Sequence, residues 1–165
     1  DQKKVFTRSE REKFVVELLF AGPSTLWSDA AAYAATSDSF MWQMTRNIAA
    51  GNNYGDIGES LGKRPNLNTD TECSDVYSLL GFLELYNKTE NQEFLVISRR
   101  IADNIVATQF HNGFFVPSNE HIYTRFDCFE PLALLHLIAA IESYQEVLPK
   151  VWPNRSVFPP PYRYK

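Results

Sequence analysis

The chain has 165 residues, 44% of them hydrophobic and 22% charged, and a formal charge of -4 from 16 basic and 20 acidic side chains. These totals suit a folded domain with a real core, and the acidic balance argues against a general nucleic-acid binder, which needs a basic face. No apolar run reaches the roughly 18 residues of a membrane-spanning helix, and Cys73 and Cys128 alone do not make a disulfide framework.

In chain order, Lys13 to Phe20 is the first expected helix, because apolar pairs at 14/18 and 15/19 share a face and Gly22-Pro23 reads as its stop. A short Ala-rich helix is expected over 29–35. The next helix is expected over 39–50, with Asp38 as cap, Met41, Met44 and Ile48 as the buried stripe, and Gly51-Asn52 as its end. Residues 51–71 are rich in Gly, Asn and acidic side chains and form a long loop, of a length that is often functional.

Helices resume over 72–86 and 90–108. The second shows Phe94, Ile97, Ile101 and Ile105 at helical spacing, and a few residues around Asn87-Lys88 make the pair an antiparallel hairpin. Apolar stretches on either side of Pro117-Ser118-Asn119 predict a small β-hairpin near 113–125. The last helix is expected over 127–147, with Pro131 tolerable only in its first turn. From Pro149 the chain is proline-rich and expected to be extended, so the helical domain is read as 1–148 and the tail as 149–165.

A shift of 55 residues places Cys73 on Cys128, Leu79 on Leu134, Leu80 on Leu135 and Asp75 on Glu130. A helix, a turn, a second helix and a return loop would fill such a period, as in stacked helical hairpins. The fold class expected is therefore all-α, built from antiparallel helical hairpins with one small β-hairpin.

The densest polar and aromatic cluster is His121, Tyr123, Arg125, Asp127 and Glu130. Strand alternation would put Tyr123 and Arg125 on one face, lining one groove. The alternative is that Asp127 caps the following helix while Arg125 pairs with Glu130. Asp56 and Glu59 could approach the same rim, with Lys63 and Arg64 as anion contacts, or they could be surface and capping groups. Arg46 either points inward to an acidic partner, which burial would demand, or contacts a ligand. The three histidines lack zinc-like spacing.

The segment Phe40 to Ala49, followed by Gly51-Asn52-Asn53-Tyr54-Gly55-Asp56-Ile57-Gly58, resembles the carboxyl-terminal part of the α/α-toroid pectate lyases. So do Leu83-Glu84-Leu85-Tyr86-Asn87-Lys88-Thr89 and the stretch from Arg125 to Leu135. The resemblance implies a partial α/α toroid. It also implies cleavage of polygalacturonate by β-elimination, in which a basic side chain, usually Arg, removes the C5 proton and a divalent metal neutralises the uronate carboxylate.

The resemblance matches neither a complete metal site nor a catalytic Arg onto this sequence, so the residues are named from the clusters above: Arg125, Tyr123 and Glu130 are the expected catalytic residues and Asp56, Glu59 and Asp127 the expected ligands of a Mn or Ca ion. Arg46, Trp42, Tyr54, Lys63, Arg64 and His121 are then the expected substrate contacts. The partner is an acidic polysaccharide, with no nucleic acid and no membrane, and the location is secreted or periplasmic. A full toroid has more hairpins than this chain supplies, so the remainder of the same enzyme, or another chain, is a further expected partner. A helical-toroid glycoside hydrolase, with two carboxylates facing across a sugar, is the first alternative. The second is a non-catalytic helical-repeat domain with an exposed apolar face.

Overall fold

The computed structural model describes residues 5–9, 12–16, 21–116, 128–144 and 148, the first two segments as backbone only. Strands β1 (Val5–Ser9) and β2 (Glu12–Val16) pair antiparallel, with Val5 opposite Val16 and Ser9 opposite Glu12. The helix expected from Lys13 is corrected there. Phe14, Val15 and Val16 are aromatic or β-branched, and a partner strand of Val5, Phe6 and Thr7 outweighs their helical spacing.

Helix α1 (Pro23–Thr36) contains the Ala-rich stretch but begins at Pro23. Gly22-Pro23, which reads as a stop, is a start. Proline's fixed φ suits the first helical turn, where its missing N–H would have no partner in any case. Helix α2 (Ser39–Gly51) is capped by Asp38, whose carboxylate accepts from the Phe40 N–H. Its buried stripe is Trp42, Thr45, Ile48 and Ala49, while Met41 and Met44 are half-buried. The large indole of Trp42 gains more from burial than either methionine, so the inward face is rotated from the one expected.

Between α2 and α3 the chain forms β3 (Gly55–Asp56), a 3-10 turn at Ser60–Gly62 and β4 (Asn66–Leu67), with β3 and β4 paired antiparallel. Helix α3 (Val76–Thr89) starts after Asp75, which caps it by accepting from the N–H groups of Tyr77 and Ser78. Helix α4 (Gln92–Gln109) is capped by Asn91.

Then come β5 (Phe110–His111) and β6 (Phe114–Phe115), closed by Asn112 and Gly113 at φ 52° and 88°. A β-hairpin thus turns at Asn112-Gly113, while the turn expected at Pro117-Ser118-Asn119 lies outside the described residues. A two-residue turn with both φ values positive matches the strand twist, and Asn-Gly is the pair that adopts it most readily. Helix α5 (Glu130–Ile141) is shorter than expected and holds Pro131 in its first turn. Among the described residues no helix is long and apolar enough to cross a membrane.

The helices stack as antiparallel hairpins. Helix α1 lies on α2 and α3, α3 lies on α4, and α5 packs against both α3 and α4. Leu26, Leu79, Phe82, Leu85, Phe94, Ile97, Ile101 and Ile105 are completely buried between them. Helices α1 and α3 approach so closely that a Cβ on Gly81 would stand 3.2 Å from Trp27 Cα.

The hairpins repeat at 53 residues, which corrects the 55-residue shift read from the sequence. Ser37 and Glu90 both take the left-handed conformation, at φ 58° and 57°, and donate to the Tyr33 and Tyr86 carbonyls at 2.7 Å. Thr36 and Thr89 each donate to the carbonyl four residues back and accept from the N–H of Asp38 and Asn91. Those two residues then cap the second helix of each pair. Ser143, a further 53 residues on, is left-handed at φ 60°. The cysteines that suggested 55 lie in the loops entering α3 and α5, outside the stretch that keeps register.

Candidate functional site

The amino ends of α1, α3 and α5 lie side by side, because alternate helices of stacked hairpins run parallel. Three rings mark the junction. Trp27 stacks on Tyr77 at 5.8 Å between centroids, Phe129 meets Tyr77 at 5.9 Å, and the Trp27 and Phe129 rings meet edge-on at 6.5 Å. Trp27 is only 4% exposed, and its indole N–H is buried without a hydrogen-bond partner among the described residues. Glu130, the first residue of α5, likewise has a buried Oε2 without a partner among the described residues. Burying such groups unpaired is costly.

Helices α1 and α5 have no side-chain cap, and each carries about half a positive charge at this end from its macrodipole. Asp75 caps α3, and burial raises its carboxyl pKa above the usual value while the Ser78 and Tyr77 N–H groups pull it down. Leading into α5 are residues 117–127, which lie outside the described residues. They carry His121, Tyr123, Arg125 and Asp127, so of the expected catalytic cluster Glu130 is the member whose position is described.

The other expected residues divide between the core and the far end. Trp42 is not on a groove wall. It is 4% exposed, packs against Tyr33 at 4.8 Å and edge-on to Phe94 at 6.5 Å, and donates to the Gly58 carbonyl at 3.1 Å. Tyr54 is also interior, at 3% exposed. Its hydroxyl shares hydrogen bonds with Ser78 Oγ at 2.6 Å and Cys73 Sγ at 3.0 Å, and burial pushes its pKa up. Both residues expected as substrate contacts are packed in the interior, where an indole or phenol gains apolar burial and satisfies its polar atom locally.

Arg46 meets the acidic partner that its position called for. Its Nε and Nη2 donate to Asp56 Oδ1 and Oδ2, both at 2.6 Å, and the Gly58 N–H donates to the same Oδ1 at 2.8 Å. The guanidinium and that N–H hold the Asp56 carboxyl below its ordinary pKa, against a smaller opposing effect of burial. With both oxygens engaged, Asp56 is committed to holding β3 against α2.

Glu59, Lys63 and Arg64 are exposed, and the backbones of Glu59 and Lys63 form a bridge. This turn is held at the α3–α4 connection, where the Asn91 side chain donates to the Gly62 carbonyl and the Phe94 ring lies against Gly62. The loop then returns along α4, with Arg100 and Asn104 donating to the Thr71 carbonyl and Gln109 to that of Ser74. Glu59, Lys63 and Arg64 therefore stand a helix length from Glu130, about 20 Å for a 14-residue helix. They do not share its rim. Among the described residues no three His, Cys, Asp or Glu side chains group to hold a metal ion.

Sequence reasoning missed Trp27, Tyr77 and Phe129. The 53-residue register offered a signal, since it aligns Tyr77 with Glu130 at the starts of parallel helices. A family model described as periplasmic pectate lyase matches residues 11–159, which takes in all five described helices and the 117–127 segment.

Proposed function

This chain belongs to the periplasmic pectate lyase family, and on that premise we propose that it takes part in the eliminative cleavage of an acidic polysaccharide, with polygalacturonate as the substrate. The family match over residues 11–159 carries this reading. The site is assigned to the rim where α1, α3 and α5 begin, together with the 117–127 segment that leads into it.

In β-elimination a base takes the proton on C5, its electron pair forms the C4–C5 double bond, and the C4–O bond breaks with protonation of the leaving oxygen. Arg125 is the proposed base, Tyr123 the proposed contact to the sugar, and His121 a substrate contact. Arginine is normally protonated, so it needs surroundings that disfavour its charged form. Two uncapped helix amino ends supply positive potential of that kind and also favour the carboxylate of a uronate.

The reading includes a divalent cation, Mn²⁺ or Ca²⁺, which when bound would neutralise charge on the uronate carboxylate. Asp56 and Glu59 do not fit as its holders, because the Asp56 oxygens are engaged by Arg46 and Gly58 and Glu59 stands at the opposite end. Glu130, whose Oε2 is buried and has no partner among the described residues, fits better, with Asp127 completing the proposal.

The test is ultraviolet absorbance of the unsaturated product during incubation with polygalacturonate, in chelator and with added Mn²⁺ or Ca²⁺, for the wild-type chain and Arg125→Ala. A metal-dependent rise that is lost in Arg125→Ala supports the proposal. New reducing ends without unsaturated product would replace elimination by hydrolysis. No product from a folded chain would remove the activity from these 165 residues.

A further inference from the structure

Helix α3 is covered on three sides, by α1, α4 and α5, whereas α5 packs against α3 and α4. In the 53-residue register, Phe82 and Leu85 of α3 correspond to Leu135 and Ile138 of α5. Phe82 and Leu85 are completely buried, and Phe82 stacks on Phe94 of α4 at 6.4 Å between centroids. Leu135 and Ile138 are 46% and 57% exposed. Among the described residues, the face of α5 left open is thus the one that α3 gives to the second helix of its own hairpin.

The sequence contains the matching partner. Left-handed Ser143 occupies the turn position held by Ser37 and Glu90. After it, Gln145-Glu146-Val147-Leu148 falls in register with Gln92-Glu93-Phe94-Leu95, the start of α4. Val147 takes the position of Phe94, and Leu148 that of Leu95. Leu148 is the one described residue beyond Tyr144 and is half-buried. Pro149 would be the fifth helical residue, where its ring clashes with the carbonyl four back and no N–H is available. Pro153 repeats the obstacle, yet Val151, Trp152, Val157 and Phe158 keep the segment apolar, and the family match runs through to residue 159.

We propose that the chain's own segment from Val147 to Phe158 covers the open face of α5 around Leu135 and Ile138, as an extended strap in place of a second helix. This surface is separate from the rim proposed for substrate and does not depend on the lyase reading.

Trp152 makes the strap testable, because the other two tryptophans, Trp27 and Trp42, are each 4% exposed. The experiment is acrylamide quenching of the full-length chain and of Leu135→Asp/Ile138→Asp, each with and without Trp152→Phe so that the Trp152 signal is obtained by difference. Leu135 and Ile138 are exposed enough for the paired change to leave the helices folded, which far-ultraviolet circular dichroism checks. The expected result is a shielded Trp152 in the wild type, at all protein concentrations, with quenching several-fold greater in the Asp variant. Equal and high accessibility in both would overturn the proposal. Shielding that appears only as protein concentration rises would also overturn it, by assigning the face to a second copy. Should the paired variant lose helicity, Ile138→Ser is measured in its place with the same two outcomes.

Discussion

Glu90 ends α3 in the same left-handed backbone with which Ser37 ends α1, 53 residues earlier, and each donates its N–H to a tyrosine carbonyl four residues back. Neither residue is glycine, the usual choice at such a position. For an ordinary L-residue this conformation costs about 1–2 kcal/mol. Glu90→Gly is therefore expected to raise stability by about 0.5–1 kcal/mol, less than the full strain because glycine also loosens the unfolded chain. Urea unfolding at fixed pH measures it, and a loss of stability would mean that the Glu90 side chain contributes more than its backbone costs.

Gly81→Ala tests the closeness of α1 and α3. Alanine favours a helix over glycine by about 1 kcal/mol, but the new methyl would press on the Trp27 backbone, at 3.2 Å from Cα and 3.3 Å from N. Backbone cannot rotate aside as a side chain can. A net loss of about 1–3 kcal/mol is expected, read as a lower melting temperature. A gain would show that the two helices separate freely.

Asp56 and Asp75 should move stability with pH in opposite senses. The Asp56 carboxyl is held low by Arg46 and Gly58, so its contribution is complete above the ordinary carboxylate value and fades as pH falls toward its folded value. Burial raises the Asp75 carboxyl, so its contribution is greatest below the ordinary value and declines as pH rises through its folded value. Asp56→Asn should therefore flatten the acid limb of a stability profile. Asp75→Asn retains a good capping residue and should flatten the decline just above the ordinary carboxylate range. Profiles parallel to the wild type in both variants would count against these assignments.

Glu130→Gln separates a role in the reaction from a role in the fold. If Oε2 is kept unpartnered for substrate or metal, the change should lower the elimination rate at least about tenfold. Stability should then hold or rise, because a buried carboxylate oxygen without a partner is a cost to folding. A drop in stability with an unchanged rate would make Glu130 a structural residue.

Much of the helical plan was legible in local chemistry. Asp38 before Ser39, the spacing of Phe94, Ile97, Ile101 and Ile105, and Pro131 held to a first turn are decided by hydrogen bonds and contacts within a few residues, and all three appear in the fold. The misreadings at β2 and at the repeat length arose where a partner decides. Phe14 and Val15 satisfy a helix or a strand until Phe6 and Thr7 pair with them, and the 53-residue period lies in turn hydrogen bonds that loops of unequal length obscure in a simple alignment.

The site divides along the same line. The sequence by itself determined that Arg46 required an acid if buried, because an unpaired guanidinium away from water is too costly. Only the tertiary structure decided that the acid is Asp56, that Trp42 and Tyr54 face inward, and that Phe129, next to Glu130, joins Trp27 and Tyr77 while Lys63 and Arg64 lie a helix length away. Such assignments depend on how hairpins stack, since stacking brings together residues that are remote in the chain and turns each helix to bury its largest apolar surface.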